Sequence, residues 1–233
     1  MGLGGFAERT LVHENQLALL PKDMPFAQAA LLGCGVVTGA GAVLNTADVR
    51  AGDSVVVFGA GGVGLNAISG ARIAGALRIV VIDIQPKRLQ AAQRFGATDV
   101  IDSTKADPVE AVRALLSRGA DHVFDFVGLK AVAEQGLAML GVGGGLYLIG
   151  VAKPDVSVDV NIFDAIGGQK RVQGVNFGST NFKRDVPMFA DLYLQGRLNL
   201  DDLVSKRIAL RDVNDGYAAL KDGSLNRVVV TSF

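Results

Sequence analysis

Three glycines at a fixed spacing directly follow a run of β-branched residues. The run is "SVVVF", residues 54–58, and the segment "FGAGGVG" continues from it. At the spacing Gly-x-Gly-x-x-Gly, the first glycine permits a tight turn and the second lets a phosphate approach the backbone. The third lets a following helix pack closely on the strand, so the helix start can hold the pyrophosphate of a dinucleotide. The residues expected to do so are Gly59, Gly61, Gly62, Val63 and Gly64.

An acidic residue ends the next apolar run. Asp83 closes "RIVVID" (78–83), at about the 20-residue distance from the glycines at which a carboxylate accepts hydrogen bonds from the adenosine ribose. The same charge would repel a 2′-phosphate, so the sequence favours NAD over NADP. Two alternatives stay open: Asp83 only caps the helix that follows, or the site serves S-adenosylmethionine, whose enzymes share this arrangement.

Strands and helices alternate along the middle of the chain. Continuous β-branched runs such as 54–59 and 78–83 are typical of strands buried on both faces, and helical patterns follow them. Three further units repeat the alternation, and "RVQGVNF" (171–177) closes it as a sixth strand. This order predicts an α/β fold with right-handed crossovers: a doubly wound, six-stranded parallel sheet of the Rossmann type.

The two ends of the chain break this alternation. The segment "FAERTLVHE" (6–14) has a strand-like composition, and the chain closes with the strand-like "RVVVTSF" (227–233). Neither has a place in a sheet of six parallel strands, so we interpret both ends as parts of a second domain. The predicted division is 1–35, 36–176 and 177–233, with the first and last segments belonging together.

Composition narrows the classes of partner. Lys plus Arg and Asp plus Glu number 23 each, so no net charge favours nucleic acid or an anionic membrane. The apolar runs are interpreted as too short to cross a bilayer, and the start lacks the pattern of a secretory signal. With one cysteine, no internal disulfide can form. We therefore expect a cytoplasmic protein that binds neither nucleic acid nor membrane.

That one cysteine, Cys34, lies between two glycines in "LLGCGVVTGAGAV" (31–43). A small buried residue, a nucleophile and a metal ligand are all open roles for it. No histidine or acid is adjacent to activate the thiol, and neither His13 nor His122 stands at a metal-ligand spacing from it. On the residues alone, a buried core residue is the simplest interpretation.

Taken together, these segments resemble a known family. "LGCGVVTGAGAV", "AGDSVVVFGAGGVGLNAI", "VIDIQPKRLQAAQRFGATDVID" and "NRVVVTSF" resemble the coenzyme domain and C-terminal tail of the zinc-dependent medium-chain alcohol dehydrogenases, in that order. The resemblance covers nearly the whole chain and is closest to the alcohol dehydrogenase and class III branch. It implies hydride transfer between an alcohol or aldehyde and NAD, with a catalytic zinc as Lewis acid.

The resemblance also implies roles for individual residues. Cys34 corresponds to a ligand of the catalytic zinc, Thr38 to a threonine beside the nicotinamide, and Arg227 to an arginine that reaches the pyrophosphate. Residues 59–64 correspond to the pyrophosphate loop, and Asp83 to the ribose carboxylate. The other implied cofactor contacts are Arg88 along the adenosine, Val127 and Val151 along the cofactor, and Phe177 near the carboxamide.

The chain departs from the family pattern on its N-terminal side. In the family, a GroES-like catalytic domain precedes the segment corresponding to "FAERTLVHE" and supplies the other zinc ligands and a proton relay. We therefore expect the chain to be the C-terminal part of a longer enzyme, with 1–35 and 177–233 as remnants of that domain. No catalytic residue is assigned within the chain.

Two alternative functions follow from the same observations. One is a non-catalytic NAD-binding module, because the chain lacks the other zinc ligands. The second is a zinc-independent quinone reductase of the same superfamily; such enzymes usually prefer NADPH and lack the cysteine. The segment 153–175 resembles the part through which dimers of the family join their sheets, which predicts a homodimer or a higher homo-oligomer.

Overall fold

A computed structural model describes residues 4–221 and 225–233, which divide into two units. One unit contains residues 38–179, and the other combines residues up to 37 with those from 180 onward. The predicted domain boundaries lie two to three residues earlier, at 35/36 and 176/177. Residues 1–3 and 222–224, which the predicted domains 1–35 and 177–233 include, lie outside the described residues.

The 38–179 unit is built on a parallel sheet of six strands. They are β1 (Ser54–Phe58), β2 (Arg78–Asp83), β3 (Asp99–Asp102), β4 (Ala120–Asp125), β5 (Leu140–Leu148) and β6 (Arg171–Gly174). The strand order is β3-β2-β1-β4-β5-β6. This is the doubly wound order: β2 and β3 are added on one side of β1, and β4 to β6 are added on the other side. The predicted fold class is confirmed.

The inner strands β1, β2, β4 and β5 are largely apolar, as expected where helices cover both faces of a sheet. Val56, Val80, Val123 and Leu146 are fully buried and belong to one core cluster that spans four neighbouring strands. The helices of this unit are α2 (Gly64–Ala74), α3 (Pro86–Phe95), α4 (Pro108–Leu115), α5 (Lys130–Met139) and α6 (Ile162–Gly167), with a 3-10 turn at Phe177–Ser179.

A long helix, α1 (Phe26–Thr46), contains the boundary between the two units. Two of its turns are π-helical, Leu32–Val36 and Ala42–Thr46. Among the described residues, α1 is long and apolar enough to span a bilayer, but 67% of its most apolar stretch is buried inside the protein. The expectation that no segment reaches this length is wrong, because the helix continues through its glycines without a break.

The other unit contains a separate small sheet. In it β7 (Val204–Ala209) pairs in parallel with β8 (Arg227–Ser232), so the predicted C-terminal strand exists and has a partner. The unit's helices are the first turns of α1, α7 (Phe182–Leu194) and α8 (Val213–Leu220). Its 3-10 turns are Glu14–Gln16, Asp201–Leu203 and Leu210–Asp212.

The predicted strand at residues 6–14 is not formed. These residues are irregular or bent and almost entirely exposed, and a 3-10 turn begins at Glu14. A strand requires a neighbouring ladder for its backbone hydrogen bonds, and no strand in the described part of the chain pairs with this segment. His13, expected within the strand, instead caps the turn, accepting the N–H of Asn15 at 3.1 Å.

Candidate functional site

The glycine loop that follows β1 has three different environments at its three glycines. Gly59 has φ +89°, a conformation that side chains other than glycine rarely adopt. A Cβ on Gly64 would lie 1.9 Å from the carbonyl oxygen of Gly59, so only glycine fits there. A Cβ on Gly61 would meet nothing within 4 Å. The loop is therefore closed against the protein at Gly64 and open at Gly61.

Backbone N–H groups at the start of α2 are available to an anion. Leu65 donates to the carbonyl of Gly61 at 2.9 Å, and Ala67 donates to that of Val63 at 3.1 Å. No acceptor among residues 4–221 and 225–233 takes the N–H of Gly62, Val63 or Gly64. Free amides at the positive end of a helix bind phosphate oxygens.

Two residues that the sequence analysis did not select keep this loop in place. The side-chain amide of Asn66 is buried and donates to the carbonyl of Gly62 at 2.7 Å. Gly39 lets α1 cross the loop closely, because a Cβ there would lie 2.2 Å from the carbonyl oxygen of Val63. Thr38, a predicted cofactor contact, immediately precedes that crossing and is half-buried. A polar residue on a buried helix face was the available signal for Asn66.

Asp83 ends β2 beside the glycine loop. Its side chain is 6% exposed. One carboxylate oxygen accepts the N–H of Ala60 at 2.8 Å, and the other accepts that of Gln85 at 2.9 Å. The contact with Gln85 is the capping role that the sequence left open, whereas the contact with Ala60 connects the acid to the glycine loop. A carboxylate offers about four lone-pair positions, so Asp83 retains acceptor capacity for hydroxyl groups.

A basic side chain adjoins that acid. The Arg88 guanidinium lies 3.8 Å from the Asp83 carboxylate, and 29% of the Arg88 side chain is exposed. Arg88 is on the first turn of α3, which begins at Pro86. The sequence-predicted adenosine contact is therefore beside the sequence-predicted ribose acceptor.

The loops after β4 and β5 bring Val127 and Val151 to the same edge of the sheet. A Cβ on Gly59 would lie 3.2 Å from a methyl carbon of Val127, so this valine flanks the glycine loop. Val151 follows β5 and is almost fully exposed. Asp125, at the end of β4, accepts the N–H groups of Val127 and Gly128. Burial raises the pKa of Asp125, although these two amides oppose the rise.

Phe177 lies in the 3-10 turn that ends the 38–179 unit. Its φ is +47°, and that of Ser179 is +50°, both unusual for residues with side chains. The turn contacts the C-terminal end of α1, where the Thr46 hydroxyl donates to the Ser179 hydroxyl at 2.8 Å. The role of Phe177 near the carboxamide stays a prediction.

Cys34 and Arg227 belong to the other unit. Cys34 is exposed in the first π-turn of α1, which is not the small buried residue that the residues alone favoured. The Arg227 guanidinium packs on the neighbouring Gly35, where a Cβ would lie 3.0 Å from one of its nitrogens. Burial lowers the pKa of Arg227, and the adjacent Cys34 opposes that change. No carboxylate of the described residues pairs with Arg227.

The described residues do not fit a zinc site. No group of three His, Cys, Asp or Glu side chains in the described ranges is arranged to hold a metal ion. His122 is buried and uses both ring nitrogens, at 3.1 Å from Asp53 and 3.3 Å from the Tyr147 hydroxyl. Among residues 4–221 and 225–233, Cys34 therefore has no partner ligands for zinc, and its ligand role stays a prediction.

Comparison with known proteins gives a consistent family relationship. Residues 62–193 match the model of the family described as "Zinc-binding dehydrogenase". The chain is 38% identical to "Probable S-(hydroxymethyl)glutathione dehydrogenase 1" of Schizosaccharomyces pombe, over 99% of this chain and 61% of that protein. It therefore spans about three fifths of the length of this curated relative.

Two solved structures share the fold over nearly the whole chain. Benzyl alcohol dehydrogenase from Acinetobacter calcoaceticus matches with a TM-score of 0.92 and 32% identity, over 95% of this chain and 62% of that one. A zinc-binding dehydrogenase from Sinorhizobium meliloti 1021, bound to NADP, matches with a TM-score of 0.81 and 25% identity. That second match covers 91% of this chain and 61% of that one.

Proposed function

The chain belongs to the zinc-binding dehydrogenase family, and we propose that residues 38–179 form the NAD site of an enzyme that transfers hydride between an alcohol and an aldehyde. One observation carries the proposal: the Asp83 carboxylate accepts the N–H of Ala60 within the glycine loop. The ribose acceptor and the phosphate loop are thus adjacent. Both lie at the carboxyl ends of β1 and β2, next to the switch point between β1 and β4 where doubly wound sheets bind dinucleotides.

The contacts of this unit support a separate group of residues for each part of the cofactor. The glycine loop offers free backbone amides to the pyrophosphate. Asp83 accepts hydrogen bonds from the ribose hydroxyl groups, and Val127 lies over the loop beside Gly59. The buried Asp83 charge favours NAD, because a 2′-phosphate would lie against a carboxylate. Arg88 works in the opposite direction, and a relative holds NADP, so the preference for NAD is itself part of the proposal.

The chain spans about three fifths of its relative's length, and the proposed activity belongs to the whole enzyme. The names of the relatives favour an alcohol or S-(hydroxymethyl)glutathione as substrate. The described residues do not by themselves complete a metal site. The comparisons do not favour the two alternatives, a cofactor module without turnover and a quinone reductase.

Calorimetric titration of the chain with NADH, NADPH and S-adenosylmethionine tests the cofactor assignment. We expect one NADH per chain, weaker NADPH binding, and no binding of S-adenosylmethionine. A chain that binds neither dinucleotide, or that prefers S-adenosylmethionine, contradicts the proposal. An assay of NAD reduction with ethanol and S-(hydroxymethyl)glutathione, together with metal analysis, tests turnover separately.

We also propose that a second copy of this chain covers the free edge of the sheet. All four residues of β6, the edge strand, are exposed, and α6 beside it exposes Ile162, Phe163 and Ile166. A strand with one unpaired edge and apolar neighbours is a template for pairing with another chain.

We further propose a cytoplasmic location. The exposed Cys34, which forms no disulfide, suits a reducing compartment.

A further inference from the structure

Asp125 is a buried carboxylic acid to which the sequence analysis assigned no role. It is the last residue of β4 and is 2% exposed. A buried carboxylate at the end of a central strand is costly unless hydrogen bonds compensate. The hydrogen bonds that Asp125 accepts therefore indicate its role.

Asp125 holds two loops at once. One oxygen of its side chain accepts the N–H of Val127 at 2.7 Å and that of Gly128 at 3.0 Å. Its backbone carbonyl accepts the N–H of Ile149 at 3.0 Å and that of Gly150 at 2.8 Å. The first pair belongs to the loop after β4, and the second pair to the loop after β5.

The two loops then touch each other backbone to backbone. Gly128 has φ +79°, and a Cβ on Gly150 would lie only 2.2 Å from the Gly128 nitrogen. Because neither glycine leaves room for a side chain, a shift in one loop is transmitted to the other. The side chain of Val127 lies beside Gly59, so the pair of loops also borders the phosphate loop.

The position of these loops identifies the part of the ligand that they face. The glycine loop and Asp83 belong to the half of the sheet formed by β1–β3, which takes the adenosine mononucleotide. The loops held by Asp125 follow β4 and β5, in the other half, where the second mononucleotide of a dinucleotide lies. In NAD that second part is the nicotinamide riboside phosphate.

We propose that Asp125 is a positioning residue that fixes the 126–128 and 149–151 loops as the surface for the nicotinamide half of the cofactor. The inference rests on the proposed function, since it presupposes a dinucleotide in this cleft. The side chain contributes through the loop backbone and does not contact the ligand. Burial raises the pKa of Asp125, and the N–H groups of Gly128 and Val127 counteract the rise, which fits a group held for its acceptor geometry.

The test compares two ligands on the full chain. AMP occupies only the adenosine half, whereas NADH occupies both halves. For Asp125→Ala we expect the Kd of NADH to rise about ten-fold while that of AMP stays within about two-fold, because only the nicotinamide surface loses its preorganisation. Asp125→Asn keeps one acceptor oxygen in the same place and should restore most of the NADH affinity.

Asp107 provides a matched control. Its side chain also accepts two backbone N–H groups, from Val109 at 2.8 Å and Glu110 at 3.0 Å, but at the start of α4. Asp107→Ala should leave the Kd of both ligands unchanged. If Asp125→Ala does not fold, Asp125→Ser, which keeps a single hydroxyl acceptor, replaces it in the same comparison.

The outcomes separate this inference from the proposed function. If the unmodified chain binds no NADH, the proposed function fails and the inference fails with it. If the unmodified chain binds NADH and the Asp125 variants bind it equally well, only the inference is overturned. An equal loss of AMP and NADH affinity would also overturn it, because that result indicates a general structural role. A selective loss of NADH affinity that Asp125→Asn restores supports it.

Discussion

The carboxylate of Asp83 accepts the N–H of Ala60 at 2.8 Å, so the acid that ends β2 is hydrogen-bonded to the loop that follows β1. This contact joins two neighbouring strands at the edge where the ligand is expected. The same side chain accepts the N–H of Gln85, so capping and ligand binding are compatible roles for one carboxylate. Any substitution of Asp83 therefore acts on the loop as well as on the proposed ribose contact.

Replacing Asp83 by alanine is expected to weaken NADH binding and to relax the preference against NADPH. Hydrogen bonds to a charged group contribute about 1.5–3 kcal/mol, which corresponds to a roughly 10- to 100-fold higher Kd for NADH. Arg88 remains next to the site to receive a 2′-phosphate. Calorimetric titration with both dinucleotides measures the ratio. Asp102→Ala, at the register partner of Asp83 on β3, is the control, and unchanged selectivity in Asp83→Ala would refute the ribose assignment.

Alanine at Gly61 should weaken NADH binding, whereas alanine at Gly64 should lower the stability of the protein. The Cβ at Gly61 has open space, so the protein tolerates it, but it occupies the approach of the pyrophosphate. We expect Gly61→Ala to raise the NADH Kd about ten-fold with little change in Tm. At Gly64 the Cβ would lie 1.9 Å from the Gly59 carbonyl oxygen, so the variant should lose about 1–3 kcal/mol or more of stability. Thermal unfolding and NADH titration of both variants separate the two effects; a destabilised Gly61→Ala with normal affinity would contradict the assignment.

These two glycines also show what the sequence was able to predict. The strand, the three glycines and Asp83 form a local pattern, and local patterns determine the turn, the start of the helix and the end of the next strand. The doubly wound parallel sheet was predictable because alternating strands and helices leave few right-handed arrangements. The connection between Asp83 and Ala60 needed the structure, because it depends on which strands are neighbours.

The failures of prediction have related causes. Asp125 was missed because its four N–H partners come from two loops more than twenty residues apart in sequence, brought together by the pairing of β4 with β5. The strand β7 was missed because "VSKRIA" is largely exposed and lacks an apolar pattern. The strand predicted at residues 6–14 is not formed, because its composition suits a strand but no described strand pairs with it.

The stability of the protein should depend on pH through Asp125. Its pKa is raised in the folded protein, so between its ordinary value of about 3.9 and that higher value the folded state binds more protons than the unfolded state. The contribution of Asp125 to stability is therefore complete below about pH 4 and is lost as the pH rises through the raised pKa. Asp125→Asn cannot titrate, so the free energy of unfolding of the unmodified protein, measured relative to this variant, should fall with rising pH. Urea unfolding at several pH values checks the sign, and a difference that grows with pH would contradict it.

The zinc content of the chain should be well below one ion per molecule. Cys34 has no partner ligands in the described ranges, and a protein zinc site normally needs three or four. Mass spectrometric metal analysis of the purified chain measures this directly. Cys34→Ser should leave both the metal content and the NADH Kd unchanged. Stoichiometric zinc accompanied by alcohol oxidation would show that the chain completes a catalytic metal site.

Association through the β6 edge should depend on the apolar face of α6. Phe163 is 88% exposed on a helix next to the free edge strand, so a charge at this position would have to be buried in a dimer that forms there. Burying an unpaired charge costs several kcal/mol, enough to dissociate a dimer of ordinary affinity at micromolar concentration. Phe163→Asp is therefore expected to be monomeric by analytical ultracentrifugation, with an unchanged NADH Kd. Leu77→Asp places the same charge on another exposed apolar residue at the start of β2 and should leave the dimer intact. If Leu77→Asp dissociates the dimer and Phe163→Asp does not, the association surface lies at the amino ends of the strands instead.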